Sequence, residues 1–440
     1  MKKEYTLLLA FVSLFTIVKA QAYKFDFGSG NPHAGYIKIT PKTIYSPQIG
    51  YGFDYNSKVI AVATKDDGKP ESDFITSQKP FYFSVKLPEG NYKVSILLGD
   101  AHGESSTTIK AECRRLMVKE VNTNPGEYKT VDFIVHVKDS MIRGEKPTKV
   151  KLKSRERNYL HWDDKLTLEF NNLAPKICAV EIEPAKDATT IFLAGNSTVV
   201  DQANEPWAAW GQMIPAFLKG NIAVANYAES GETLRAFKGE RRLEKIWSMA
   251  KPGDYLFIEF AHNDQKTGSN HLDPFTTYQQ TLKEWIDEAR KRKITPVLVT
   301  SMHRRRFDDK GKIVNTLDAY PAAVRKLGKK EKVTVLDLNA MSKKMYEAWG
   351  EEKSIKAFVH FPANTFPNQT KALEDNTHFS TFGAYELAKC ITLAIKKSKL
   401  PLKKFIIDDF KGFNPSKPDA FENFTLPASS FIEIVKPDGN

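Results

Sequence analysis

Two unlike folded parts are predicted, an all-β jelly-roll sandwich followed by an α/β domain built on a parallel sheet. Three observations predict them. Apolar and polar residues alternate with period two from Tyr23 to about Pro184. The texture changes at Pro184-Ala185-Lys186-Asp187. Beyond that point short apolar runs alternate with long amphipathic stretches. Period two marks strands with one buried face, and apolar runs alternating with helical patterns require a parallel sheet covered on both sides. A chain of 440 residues is also too long for one core. The divisions expected are a leader over 1–22, a β domain over 23–186, an α/β domain over 187–400, and a segment over 401–440 that packs on the domains.

In the first part, Phe81, Phe83, Val85 and Leu87 alternate with polar neighbours, Pro88-Glu89-Gly90-Asn91 turns, and Tyr92, Val94, Ile96 and Leu98 alternate again. The pattern reads as a hairpin with one buried face. Val131 to Val137 and Leu166 to Phe170 repeat the signal, and many short strands between Gly/Pro/Asn turns imply a sandwich. In the second part the strand candidates are Thr190–Ala194, Ile222–Ala225, Tyr255–Phe260, Pro296–Thr300 and Val333–Leu336. Helical patterns include Pro274–Arg292 and Asp318–Lys329, with a last helix at Thr381–Lys397. The apolar Phe405-Ile406-Ile407 and Phe431-Ile432 predict that the closing segment lies against folded protein.

Met1 to Ala22 reads as a secretory leader: Lys2 and Lys3, an apolar stretch Leu7–Val18, and an Ala20-Gln21-Ala22 exit. Lys19 ends the apolar run short of the ~20 residues a bilayer span needs, so membrane insertion of the mature protein is not expected. Export to periplasm or medium is. The three cysteines Cys113, Cys178 and Cys390 are odd in number and widely spaced, which favours buried thiols over a Cys113–Cys178 bridge. No C-x-x-C or H-E-x-x-H occurs and the nine histidines are scattered, so no metal site is expected. The net charge of +12 favours a polyanionic partner, of which an acidic polysaccharide fits an exported protein. A generic basic surface accounts for it equally, and no nucleic-acid-binding motif is present.

Four short pieces carry chemistry: Gly195-Asn196-Ser197, Asn226 with Gly231, His262-Asn263-Asp264, and Asp375 three places before His378. Ser197 follows the first α/β strand, where ligands collect at strand carboxyl ends. Gly195 permits a tight turn that Asn196 can hold by hydrogen bonding. The Asp375–His378 spacing lets the carboxylate fold back onto one ring nitrogen and leave the other for a serine hydroxyl. The N–H of Ser197, the N–H of Gly231 and the amide of Asn263 are candidate oxyanion donors. A helix-capping serine, a surface His beside a capping Asp and a turn Asn are the bland readings of each piece alone. Together they supply what acyl transfer by a serine hydrolase needs. His262 is expected to support its loop.

These residues resemble the four blocks of the SGNH (GDSL-like) hydrolases in their chain order, and more closely the rhamnogalacturonan acetylesterases of carbohydrate esterase family twelve. The resemblance runs from about Thr189 to Leu400 and extends to Trp207–Gly211, His303–Phe307 and Tyr320–Arg325. The opening Tyr23–Gly28 is similar to the galactose-binding-like β domain that precedes many bacterial members. The resemblance implies a three-layer SGNH hydrolase domain that deacetylates pectic rhamnogalacturonan without a cofactor. In it Ser197 is the nucleophile, His378 the base, Asp375 its partner, and Ser197, Gly231 and Asn263 the oxyanion hole. Two positions depart from the pattern: Asn196 stands for the usual aspartate, and Glu232-Thr233 for the common Arg-Ser.

Arg304, Arg305 and Arg306 follow the fourth strand and suit bidentate contacts to galacturonate carboxylates, or a solvated basic loop. Trp207 and Trp210, at i and i+3, suit stacking on sugar or a place in the core. The expected partner is therefore an acetylated acidic plant polysaccharide. The competing expectations are an esterase acting on xylan or sialic acid, and a non-catalytic polysaccharide-binding protein.

Overall fold

The computed structural model describes residues 22–64 and 68–438, so all of the expected leader except Ala22 lies outside the described residues. The first half is two packed antiparallel-rich sheets. One is seven-stranded and runs Tyr128–Val137, Gly90–Gly99, Ile177–Pro184, Tyr23–Phe27, Ile37–Ile39, with Ile60–Ala63 and Asp73–Thr76 joined at the side. The other is five-stranded: Tyr51–Asp54, Phe81–Lys86, Lys165–Asn171, Ser105–Ala111, Arg115–Thr123. Their inner faces share one core in which Phe25, Phe83, Val94, Ile96, Leu168 and Val180 are fully buried.

The expected hairpin at 81–98 is a correction. Phe81–Lys86 pairs with Tyr51–Asp54 and Lys165–Asn171, whereas Gly90–Gly99 pairs with Tyr128–Val137 and Ile177–Pro184. The turn between them therefore crosses from one sheet to the other. Both strands present an apolar face to the same core, so the alternation is identical whether they pair or face each other.

The second half is a five-stranded parallel sheet in the order Ile222–Asn226, Thr189–Gly195, Tyr255–Glu259, Thr295–Val299, Thr334–Leu336. The strands are apolar along their length because helices cover both faces. Trp210–Met213, Leu338–Ser354 and Thr381–Lys397 share one core cluster, while Leu234–Gly239, Arg242–Met249, Gln279–Lys291 and Tyr320–Glu331 share another. The helix expected from Asp318 starts at Tyr320, and the pattern over 274–292 opens with a π-helical turn, Pro274–Tyr278. The last helix runs Thr381–Lys397, with the Ser380 hydroxyl accepting from Gly383 N. Gly383 is required there, since a Cβ would stand 1.9 Å from the Ala357 carbonyl oxygen.

The chain runs to one side of Thr189–Gly195 for its second strand and to the other for its third, so a switch point lies at the carboxyl ends of Thr189–Gly195 and Tyr255–Glu259. The closing segment crosses the seam between the halves. Lys110 Nζ donates to the Pro427 carbonyl, Glu205 N to the Phe431 carbonyl (2.8 Å), and Trp207 Nε1 to the Glu433 carbonyl (2.8 Å). Cys113, Cys178 and Cys390 are free and buried.

Candidate active site

The turn after the first parallel strand is built by Asn196. Its Oδ1 accepts from Thr198 N (3.0 Å) and Thr198 Oγ1 (2.8 Å), and its carbonyl accepts from Val199 N and Val200 N. Gly195 fits because a Cβ would lie 2.6 Å from Val199 Cγ2. The turn leaves Ser197 at the sheet's carboxyl edge, and Gln202 Nε2 fastens its carbonyl at 3.0 Å.

Asp375 and His378 lie on the strand Leu373–Phe379, which pairs antiparallel with Phe358–Phe361. In a regular strand, residues three apart face opposite sides. Here the register slips between Phe358 and Val359, whose partners are Phe379 and Asp375, so residues 376–378 bulge out of the ladder. Asp375 Oδ1 accepts from Thr377 N (2.7 Å) and His378 N (2.9 Å), which folds the bulge over the carboxylate.

The bulge aims His378 at Ser197. His378 Nε2 lies 2.9 Å from Ser197 Oγ, and Nδ1 lies 2.8 Å from Asp375 Oδ2. With Nδ1–H donating to the carboxylate, Nε2 is left as the acceptor for the serine hydroxyl. Burial pushes the Asp375 carboxyl up, but the hydrogen bond and charge of His378 and the two backbone N–H groups outweigh it and hold it well below the usual carboxylate range. Ser197, His378 and Asp375 are 2%, 1% and 3% exposed, so a charge on the imidazole is felt in a water-poor setting.

The loops after the second and third strands meet this turn. Glu229 N donates to the Gly195 carbonyl (3.3 Å), Asn263 Nδ2 to the Glu232 carbonyl (3.1 Å), and Leu234 N to Asp264 Oδ1 (2.9 Å). Gly231 holds φ +85°, the left-handed region a glycine tolerates. Asn226 braces the loop that carries Ser197: its Nδ2 donates to the Val199 carbonyl (2.7 Å) and to Asp201 Oδ1 (2.8 Å). His262 is buried, and burial followed by the Arg304 charge hold its ring neutral, far below the usual histidine range. Its carbonyl takes Arg304 Nη2 (3.3 Å), a supporting part in the loop.

Of the other residues singled out from sequence, Trp207 packs edge-on against the His378 ring, with centroids 5.8 Å apart. Trp210 is fully buried and donates to Glu259 Oε2 (2.7 Å), placing it in the core. Arg304 also bonds Thr316, and Arg305 bonds Ser354 Oγ (3.1 Å), Asn376 Oδ1 (3.1 Å) and the Glu351 carbonyl. Those two guanidinium groups are tied into their own surroundings, and Arg306 is exposed. Among the described residues no group of three or more His, Cys, Asp or Glu side chains is placed to hold a metal.

Two groups escaped the sequence reading. Glu259 lies beneath the turn, accepting from Thr198 Oγ1 (3.0 Å) and Trp210 Nε1; burial pushes its carboxyl up to about 7 against these hydrogen bonds. Its signal was present, a carboxylate closing the otherwise apolar strand Tyr255–Glu259. Lys436, whose Nζ is 3.4 Å from Asp375 Oδ2, had none, because nothing local connects it to a site 61 positions earlier.

Residues 193–383 match the model of the GDSL-like Lipase/Acylhydrolase family, and residues 23–139 that of the Beta-agarase/YXIM esterase-like, galactose-binding domain-like family. Rhamnogalacturonan acetylesterase RhgT of Bacillus subtilis is 43% identical over 224 residues, 50% of this chain and 96% of that protein. Probable rhamnogalacturonan acetylesterase YesY of the same organism is 33% identical over 227 residues, 50% of this chain and 99% of its own length. The uncharacterized esterase YxiM, also of Bacillus subtilis, is 27% identical over 365 residues, covering 80% of this chain and 89% of that protein. The chain belongs to the GDSL-like acylhydrolases as a serine esterase homologous to the rhamnogalacturonan acetylesterases, with a galactose-binding-like β domain ahead of the hydrolase domain.

Proposed function

We propose that the protein is an exported carbohydrate O-acetylesterase that removes acetyl groups from pectic rhamnogalacturonan, with Ser197, His378 and Asp375 as its catalytic triad. The single observation that carries this reading is the hydrogen-bonded line from Asp375 Oδ2 through His378 to Ser197 Oγ, at 2.8 and 2.9 Å. The 43% identity to an acetylesterase of that substrate class supports the choice of polymer. The leader pattern at Met1–Ala22 supports export.

In this mechanism Ser197 Oγ attacks the acetyl carbonyl carbon as His378 Nε2 takes the hydroxyl proton. Asp375 stabilises the imidazolium. The N–H of Ser197, the N–H of Gly231 and the second amide hydrogen of Asn263 take the charge developing on the carbonyl oxygen. The bond from carbonyl carbon to sugar oxygen breaks, and His378 returns the proton to that oxygen. Water then attacks the acetyl-serine, giving its proton to His378, which passes it to Ser197 Oγ as acetate leaves. Nothing in the cycle draws on a further co-reactant.

The test is acetate release from acetylated rhamnogalacturonan, acetylated xylan and a chromogenic acetyl ester by the full chain and by Ser197→Ala. The variant is expected to keep its fold and lose release on all three, and the intact chain to prefer the pectic polymer. Equal turnover by the variant would remove Ser197 from its role, and a preference for xylan would replace the polymer.

A further inference from the structure

A cavity of about 510 Å³ opens beside the triad, within the ~300–1,000 Å³ usual for small-ligand sites. Three parts of the chain wall it: Tyr55 and Tyr159 from the β half, Gln202 and Trp207 from the hydrolase half, and Phe431 and Lys436 from the closing segment. Two of its wall residues touch the triad. The Trp207 ring stands edge-on to His378, and Gln202 holds the Ser197 carbonyl. The closing segment is fixed as a wall: Glu433 N donates to the Glu205 carbonyl (2.9 Å), and Phe431 packs edge-on to Tyr55 with centroids 5.5 Å apart.

The wall brings a cation to the site. Lys436 keeps 47% of its side chain exposed and places Nζ 3.4 Å from Asp375 Oδ2, an oxygen that already accepts from His378 Nδ1. An ammonium has three hydrogens and suits an anion arriving through the cavity. Of the other charges there, Arg155 is paired with Glu229 and Asp438, and Glu433 accepts from Val435 N (3.0 Å). The aromatic rings of Tyr55, Tyr159 and Phe431 offer the flat apolar faces on which sugar rings rest.

We propose that this cavity holds a uronate unit of the substrate and that Lys436 takes its carboxylate, so that the 431–438 segment, outside the hydrolase family's matched span, decides specificity for acidic polymers. The proposal rests on the acetylesterase reading above and deepens it. In a galacturonate unit the carboxylate and the acylated hydroxyls sit on one ring, so a carboxylate held beside Asp375 brings the ester toward Ser197.

Lys436→Gln and Lys436→Arg in the full chain test it, with kcat and KM measured on acetylated rhamnogalacturonan, neutral acetylated xylan and 4-nitrophenyl acetate. Lys436→Gln is expected to lose about ten-fold more kcat/KM on the acidic polymer than on the small ester, mainly through KM. Lys436→Arg recovers most of that difference, and roughly 0.5 M salt narrows the gap between wild type and Lys436→Gln. Tyr55→Ala raises KM for both polymers. An equal loss on all three substrates, placing Lys436 in service of the triad alone, or an unchanged KM on the acidic polymer, overturns the proposal and leaves the acetylesterase reading standing. A wild type that releases acetate from xylan but from no acidic polymer overturns both.

Discussion

The proposed triad and the seam between the two halves both set basic side chains against buried carboxylates, and they differ in which basic group can exchange a proton. At the seam, Arg242 meets Glu156 at 3.0 and 2.5 Å, Arg115 meets Asp201 at 3.0 and 2.7 Å, Arg155 meets Glu229 at 2.8 Å and Lys153 meets Glu232 at 2.6 Å. Three of these cations are guanidinium groups that never release their proton near neutral pH, so their pairs hold geometry; opposite Lys153, burial pushes the Glu232 carboxyl up to about 7. They sit under the loops that matter: Glu229 and Glu232 flank Gly231, and Asp201 also holds Asn226. In the proposed triad the basic partner is a histidine, a side-chain type that can take up and release a proton near neutral pH. The arginine pairs brace the site, and the proposed triad is where a proton would be exchanged. The substitution of Glu232 for the family's common arginine belongs to the bracing, since its carboxylate answers Lys153 from the β half.

The largest effect is expected at Asp375. Asp375→Asn keeps the shape and offers the His378 ring the wrong tautomer, so kcat for acetyl ester hydrolysis is expected to fall about 10⁴-fold with the melting temperature nearly unchanged. A loss under ten-fold would mean the carboxylate only shapes the bulge.

At the seam the same logic predicts the reverse. Arg242→Met strands Glu156 in a fully buried place, costing about 3–5 kcal/mol of stability, and adding Glu156→Leu recovers most of it. Chemical denaturation of the single and double variants decides this; a single variant as stable as the double would show that the pair does no bracing.

Asn263→Ala tests the donors in between. It is expected to lower kcat by about 10²–10³ with KM little changed, read from initial rates on a chromogenic acetyl ester. A change confined to KM would place Asn263 in substrate binding.

The smallest effect concerns Glu259, which is buried but has no cationic partner among the causes of its shift. Its folded carboxyl titrates near 7, against 4.5 ordinarily. Between those values the folded state keeps a proton the unfolded state has lost, so stability falls as pH rises through this window and levels off above it. Glu259→Gln carries no such proton. Melting curves at pH 5 and pH 8 should show a smaller drop in the variant, by about 1–3 kcal/mol. An identical drop would assign the pH dependence to Asp264 or Glu232, both also pushed up to about 7 chiefly by burial.

How much of this was legible follows from how local each signal is. The five parallel strands and the last helix read well because apolar runs and amphipathic stretches are written in consecutive residues. The turn at Gly195-Asn196-Ser197 read well because its hydrogen bonds close within four residues. The 81–98 pairing read wrongly because alternation says which face is buried and not which strand lies alongside. The helix Leu338–Ser354 is hidden in the sequence pattern, because non-helical Gly350 and a run of charged residues blur its period.

By itself the sequence determined which residue types are present for acyl transfer, their chain order, and the two kinds of layer that carry them, since periodicity and turn chemistry are short-range properties. Only tertiary structure decided that a slipped register turns Asp375 and His378 to one side, that loops 153–156 of the β half brace Gly231, and that Lys436 reaches the triad. The reason is physical. Those contacts join segments from 16 to 79 residues apart, and the charged ones persist because attraction in a shared interior offsets the cost of desolvating each group, which no window of neighbouring residues encodes.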